Sequence, residues 1–146
     1  SPFERSVALR LGDPVLDLPR RLPKRIALFL LALFFVFAGV THFTSPEFFT
    51  AIVPPALPAP LALVYVSGAF EILGGLGVLW PATRAAAGVG LVALLVAVYP
   101  ANLYMAWAPE RFVAQGTPLW ALYARLPLQF VFIAWAWWAT RADVRD

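Results

Sequence analysis

Residues 61–80 read LALVYVSGAFEILGGLGVLW. One carboxylate, Glu71, stands in an otherwise uncharged run, and about 20 mostly apolar residues are what a helix needs to cross the hydrocarbon of a bilayer. Pro60 suits a first helical turn, where its missing N–H costs nothing, and Pro81 is expected to stop the helix. The rest of the chain extends this reading. Of 146 residues, 62% are hydrophobic and 13% charged, whereas a soluble domain is about half apolar and roughly a quarter charged. This composition cannot furnish a polar shell, and it carries too much apolar surface for a disordered chain. It fits one compact membrane domain.

Three more segments are long and apolar enough to span. Arg25 to Phe43 contains IALFLLALFFVFAGV, longer than the roughly 7–15 apolar residues of a signal peptide, so a retained span is expected. Arg84 to Ala106 follows the second span after the tripeptide PAT, which implies an antiparallel hairpin. Pro100 lies near its far end and frees a backbone carbonyl one turn earlier. Pro118 to Thr140 is the fourth span, with Thr117 and Pro118 as N-cap and first-turn pair. The expected fold class is all-α: a transmembrane four-helix bundle with a short N-terminal interfacial helix. That short helix would start at the capping box Ser1-Pro2-Phe3-Glu4 and end at Gly12. The chain then divides into a basic, amphipathic segment 1–23, a four-span membrane domain 24–140 and a tail 141–146. Between the first two spans, Ser45-Pro46-Glu47 opens a brief helix through Phe48, Phe49 and Ile52, closed by PPALPAP. This loop is expected on the bilayer surface or folded back over the bundle.

Charge sets the expected orientation. Arg5, Arg10, Arg20, Arg21, Lys24, Arg25, Arg84, Arg141 and Arg145 fall on one side, and only Arg111 and Arg125 on the other. The positive-inside rule then places both termini in the cytoplasm and the protein in the cell (inner) membrane as a multi-pass protein. Trp80, Trp135, Trp137 and Trp138 fall at the inner interface, and Trp107 and Trp120 at the outer one, as an aromatic belt requires. The basic residues crowd the N-terminal end, which suits a membrane flank and not a nucleic-acid surface.

The informative residues are the polar ones inside the spans. Glu71 is mid-span, about 15 Å below the outer end at 1.5 Å per residue. A lone carboxylate there must be protonated, paired or wetted, and is a functional-site candidate by default. Ser67, Gly68, Glu71, Gly74 and Gly75 share one helical stripe, so Glu71 faces the bundle interior and the small residues admit a neighbouring backbone. Depth brings further candidates: His42 at the outer end of span one, Tyr99 and Asn102 near that of span three, Arg125 and Gln129 in span four. Arg125 either pairs with Glu71 across the bundle or snorkels to the outer headgroups. His42 is either an interfacial side chain or part of a pocket. Asn102, Gln129 and Tyr99 also suit the simpler role of hydrogen-bonding helices together. The inner half offers essentially no such groups, so a pocket opening outward is expected.

Several chemistries are excluded. Without cysteine there is no disulfide scaffold, thiolate metal site or dithiol redox couple, and a single His leaves little for a metal site. Gly74-Gly75-x-Gly77 lacks the strand and phosphate context of a nucleotide loop. No nucleophile–base pair is evident, so a self-sufficient enzyme is not expected.

Taken in order, Gly39-Val-Thr-His42-Phe43, the stretch SGAFEILGG from Ser67 to Gly75, and PANLYMA from Pro100 to Ala106 resemble the DoxX-like family of small four-helix membrane proteins, over residues 26–140. The matching positions are His42, Glu71 and Asn102. The resemblance implies a four-helix transmembrane bundle and a redox-linked role. Some relatives are linked to thiosulfate–quinone oxidoreduction, others accompany redox-enzyme maturation, and a vertebrate branch chaperones acetylcholine receptors. The expected function is a membrane accessory protein that binds a small hydrophobic molecule, a quinone or a lipid, in the outward pocket, with no covalent cofactor. The alternative is a chaperone or assembly factor for another membrane protein. A transporter ranks behind both, because no inverted repeat is apparent. Expected partners are the lipid bilayer, a membrane protein or a second copy of the chain.

Overall fold

The computed structural model describes residues 18–19 and 21–142. The capping-box helix at Ser1–Gly12 and the end of the tail lie outside the described residues. Among the described residues six helices occur and no strand: α1 (Leu22–Thr44), α2 (Pro46–Ile52), α3 (Pro60–Gly77), α4 (Pro81–Trp107), α5 (Glu110–Ala114) and α6 (Leu119–Thr140). Helices α1, α3, α4 and α6 are the four long apolar elements, able by length and composition to cross a membrane. Their outward faces carry Leu33, Phe37, Leu73 and Val131, each more than half exposed. In water such a surface would drive aggregation; against acyl chains it is the required one.

The four spans close a ring. Helix α1 packs along α3 and α4 along α6, while α3–α4 and α1–α6 contacts complete the bundle. One core cluster joins Leu28, Leu31, Phe35, Leu91, Leu95 and Ala136, and a smaller one joins Met105, Phe112 and Leu122 at the other end.

The hairpin between α3 and α4 differs from expectation. Pro81 does not sit beyond a helix that runs to Trp80; it opens α4, while α3 ends at Gly77. The intervening carbonyls are taken by side chains of the next helix. Thr83 Oγ1 donates to Gly77 O at 2.6 Å, Arg84 Nε to Val78 O at 2.8 Å and Arg84 Nη2 to Leu79 O at 3.1 Å. The Pro81 ring has the fixed φ a first helical residue needs, so the three-residue turn falls at 78–80 and not at 81–83. At α6, Pro118 occupies the N-cap itself and no side chain caps the helix, so the Thr117 cap does not form. Helix α5, in the connection between the third and fourth spans, turns the chain between α4 and α6, followed by Gly116 at φ 98°.

The first and last spans begin and end side by side. Lys24 Nζ donates to the Arg141 carbonyl, and Arg141 Nη2 to Ala85 O at 2.7 Å. The Arg141 guanidinium lies 4.2 Å from the Trp137 ring centre, and Trp135 Nε1 donates to Ala27 O at 3.0 Å. This end is not free of buried polar groups: Lys24 and Thr140 are both buried there. The Lys24 ammonium lies over the Trp138 ring, 5.9 Å from its centre. Thr140 returns its hydroxyl to Ala136 O at 2.6 Å.

Candidate functional site

The site begins with two glycines. A Cβ on Gly68 would lie 2.6 Å from His42 Cβ and 3.0 Å from Gly39 O. Any larger residue would push α1 and α3 apart. His42 follows Gly39 by three residues and Glu71 follows Gly68 by three, so both stand one turn along from the crossing. The helices are antiparallel, and helical side chains lean toward their own N-terminus. His42 and Glu71 therefore lean toward each other, and His42 Nδ1 stands 3.1 Å from Glu71 Oε2.

The same nitrogen lies 2.7 Å from the Ala38 carbonyl. Facing two acceptors, Nδ1 carries the ring's proton in the neutral tautomer. One N–H cannot point at both oxygens. It is aligned with Ala38, which leaves Glu71 Oε2 buried, in electrostatic contact with the imidazole but without a hydrogen-bond donor among the described residues. The other imidazole nitrogen has no described partner. Phe49 of α2 stacks on the ring, with centres 3.8 Å apart and planes at 17°.

The facing wall is built by α4 and α6. Gln129 Nε2 donates to the Leu95 carbonyl, and its Oε1 accepts from Asn102 Nδ2 at 3.2 Å. Pro100 removes one ladder bond in this turn of α4, and Gln129 supplies a cross-helix bond beside the loosened turn. Gln129 is 4% exposed, so an amide left unpaired there would be costly.

Between the walls lies a cavity of about 470 Å³. His42, Ser67, Glu71, Asn102, Arg125 and Gln129 are its polar lining, and the rest is apolar, including Phe34, Phe35, Leu95 and Phe132. It occupies the half of the bundle away from the Lys24–Arg141 end. Ile52, Val53 and Leu57 join Phe49 over it, so the 45–60 segment folds back over the bundle. The volume is that of a small-molecule site, apolar with a few convergent polar groups. A smaller cleft of about 260 Å³ lies at the Lys24, Arg84 and Arg141 end.

Three sequence expectations change. Arg125 makes no ion pair with Glu71; it turns inward and donates to Met105 Sδ at 3.6 Å. The partner of Glu71 is His42. Depth along a helix placed Arg125 and Glu71 at similar levels but said nothing about which helices touch, and α3 and α6 are diagonal in the ring. Tyr99 is not part of the cavity; its ring packs edge-on against Phe130, centres 5.9 Å apart. The small-residue stripe divides between two neighbours. Gly68 and Gly75 meet α1, Gly74 meets Leu91 of α4, and Ser67 lines the cavity. Phe49 went unread, although an aromatic pair after a helix-opening Ser-Pro-Glu is the kind of segment that caps a cavity. Among the described residues, no three His, Cys, Asp or Glu side chains gather at one point.

The fold and cavity define the class: a multi-pass, all-α membrane protein with a largely apolar chamber among its spans that carries a few polar groups. Residues 31–140 match the family described as "Domain of unknown function (DUF8561)", and the chain belongs to that family. No curated protein and no solved structure matches it.

Proposed function

We propose that the protein is an integral membrane accessory protein that holds a small hydrophobic molecule with a polar head in the cavity between His42, Glu71 and Arg125. One observation carries this reading. A chamber of about 470 Å³ inside the spans combines an apolar wall with a carboxylate–imidazole pair and a guanidinium that does not join the pair. Polar groups that served only to hold helices together would close on one another, as Asn102 and Gln129 do. The resemblance to the DoxX-like family adds a quinone as a candidate occupant and a redox-linked role. Its carbonyls suit the donors on the two walls, and electrons would come from a partner protein.

The reading places the protein in the inner membrane with both termini cytoplasmic. Lys24, Arg84 and Arg141 meeting at one end supports it. The test is displacement of an environment-sensitive hydrophobic dye from the purified protein in nanodiscs, with a short-chain quinone among the competitors. Glu71→Gln and His42→Ala should each weaken occupancy. Dye binding unchanged in both variants overturns the pocket.

A further inference from the structure

Arg125 is the cavity group whose needs the protein leaves unmet. A guanidinium has five N–H donors and no acceptor. Its one described side-chain partner is the Met105 thioether at 3.6 Å, a weak acceptor. Met105 is 1% exposed, so the guanidinium is drawn into the bundle and not out to the headgroups. Glu71, the carboxylate on the same cavity, is held on the diagonal helix against His42. An arginine within a span is expensive unless an anion or several acceptors meet it, and carboxylates and phosphates do so in two parallel bonds. Beside it, Asn102 spends one amide hydrogen on Gln129 and keeps the second.

From this we infer that the cavity's occupant is an anionic amphiphile, its acidic head on Arg125 and Asn102 and its acyl chain along Phe34, Phe35, Leu95 and Phe132. The inference rests on the reading of the cavity as a hydrophobic-ligand site and names the head-group chemistry that site selects. A single-chain acid is the form that fits. A two-chain phospholipid is far bulkier than about 470 Å³ and would place only its head and part of one chain inside.

The experiment uses the full chain in nanodiscs of zwitterionic lipid, with the same dye displaced by hexadecanoic acid, hexadecanol, methyl hexadecanoate or a short-chain quinone. The acid should compete about tenfold better than the alcohol or ester, the worth of a charge-assisted hydrogen bond. Arg125→Gln should erase that preference, bringing displacement by the acid down to that by the alcohol and ester, and Arg125→Lys should keep part of it. Thermal unfolding of both variants separates lost selectivity from lost fold. Nanodiscs containing phosphatidylglycerol locate the source: displacement by that lipid as well as the acid supports a bilayer anion, and displacement by the acid alone supports a free one. Equal competition by acid, alcohol and ester in the unmodified chain overturns the anionic head and leaves the cavity reading standing. Failure of the dye and every competitor to bind overturns both.

Discussion

Gly39 of α1 and Gly68 of α3 cross backbone to backbone: a Cβ on Gly39 would lie 2.6 Å from the Gly68 carbonyl oxygen. Ile72 closes over the same point, its Cγ1 2.7 Å from that position. The depth of His42 and Glu71, their mutual distance and the shape of the cavity wall all follow from how closely these two strips of backbone approach.

Gly68→Ala should therefore cost about 1–3 kcal/mol of stability, the range for overpacking a tight interior. It should also weaken dye binding, because the added methyl meets His42 Cβ. Gly90→Ala is the control. A Cβ there has nothing within 4 Å, and alanine is the better helix former by about 1 kcal/mol, so the change should be neutral or stabilising. Reversible unfolding in mixed micelles measures both. Equal behaviour of the two variants would refute the crossing.

The His42–Glu71 contact predicts non-additivity. Removing one partner strands the other in a low-dielectric interior, while removing both leaves an apolar wall. His42→Phe and Glu71→Leu should each destabilise, and the double variant should be more stable than their sum by about 1 kcal/mol, the scale of interhelical polar pairs in membranes. A double-mutant cycle on unfolding free energies reads the coupling. Additivity within about 0.3–0.5 kcal/mol would mean the 3.1 Å contact does no energetic work.

Much of this architecture was legible in the sequence because bilayers impose coarse rules. Span length, proline punctuation and the small-residue stripe gave four helices and an inward Glu71. The partner of Glu71 was not legible from depth, since depth is one coordinate and ring order another. A second signal was present but unread: Gly39-x-x-His42 and Gly68-x-x-Glu71 share a spacing, and on antiparallel helices crossing at the glycines that spacing forces the two side chains together. Tyr99 was misplaced for a related reason. Three residues from Asn102, it shares a broad face, yet the ring turns to Phe130 on the outer side of α6. The turn at Pro81 was missed because a proline marks both helix stops and helix starts, and only the Thr83 and Arg84 bonds decide between them.

Gln129 ties α4 to α6 through two bonds, donating to the Leu95 carbonyl and accepting from Asn102 Nδ2. Gln129→Leu should cost about 1–3 kcal/mol, the price of leaving buried polar groups unpaired. Adding Asn102→Leu should recover part of the loss by removing one of the stranded groups. The same unfolding assay applies, and a neutral Gln129→Leu would show that the bond to Leu95 carries no weight.

The absence of cysteine makes the membrane orientation directly testable, because any introduced thiol is the sole one. Gln115→Cys, exposed after α5, and Ala82→Cys, exposed at the opposite end, should label from opposite sides of sealed cells. With both termini cytoplasmic, an impermeant maleimide reaches Gln115→Cys at once and Ala82→Cys only after permeabilisation. The reverse pattern would invert the orientation and place the cavity in the cytoplasmic leaflet.

Phe49 tests whether α2 is a cover or a structural strut. Helix α2 buries no residue completely, so its contribution to the folded state is small, yet its Phe49 ring lies flat on the His42 imidazole. A stacked aromatic pair is worth about 0.5–1.5 kcal/mol beyond its area, enough to hold a short helix closed but not enough to fix it there permanently. Phe49→Ala should therefore lower stability by about 1 kcal/mol or less while raising the dye's dissociation rate roughly fivefold to tenfold, because each 1.4 kcal/mol taken from a barrier is tenfold in rate. Phe49→Trp, which keeps a larger stacking face, should leave the rate near that of the unmodified chain. Stopped-flow release into excess apolar competitor separates the cases. A large stability loss with an unchanged rate would make α2 a strut, and the ligand would then reach His42 between the spans and not beneath the loop.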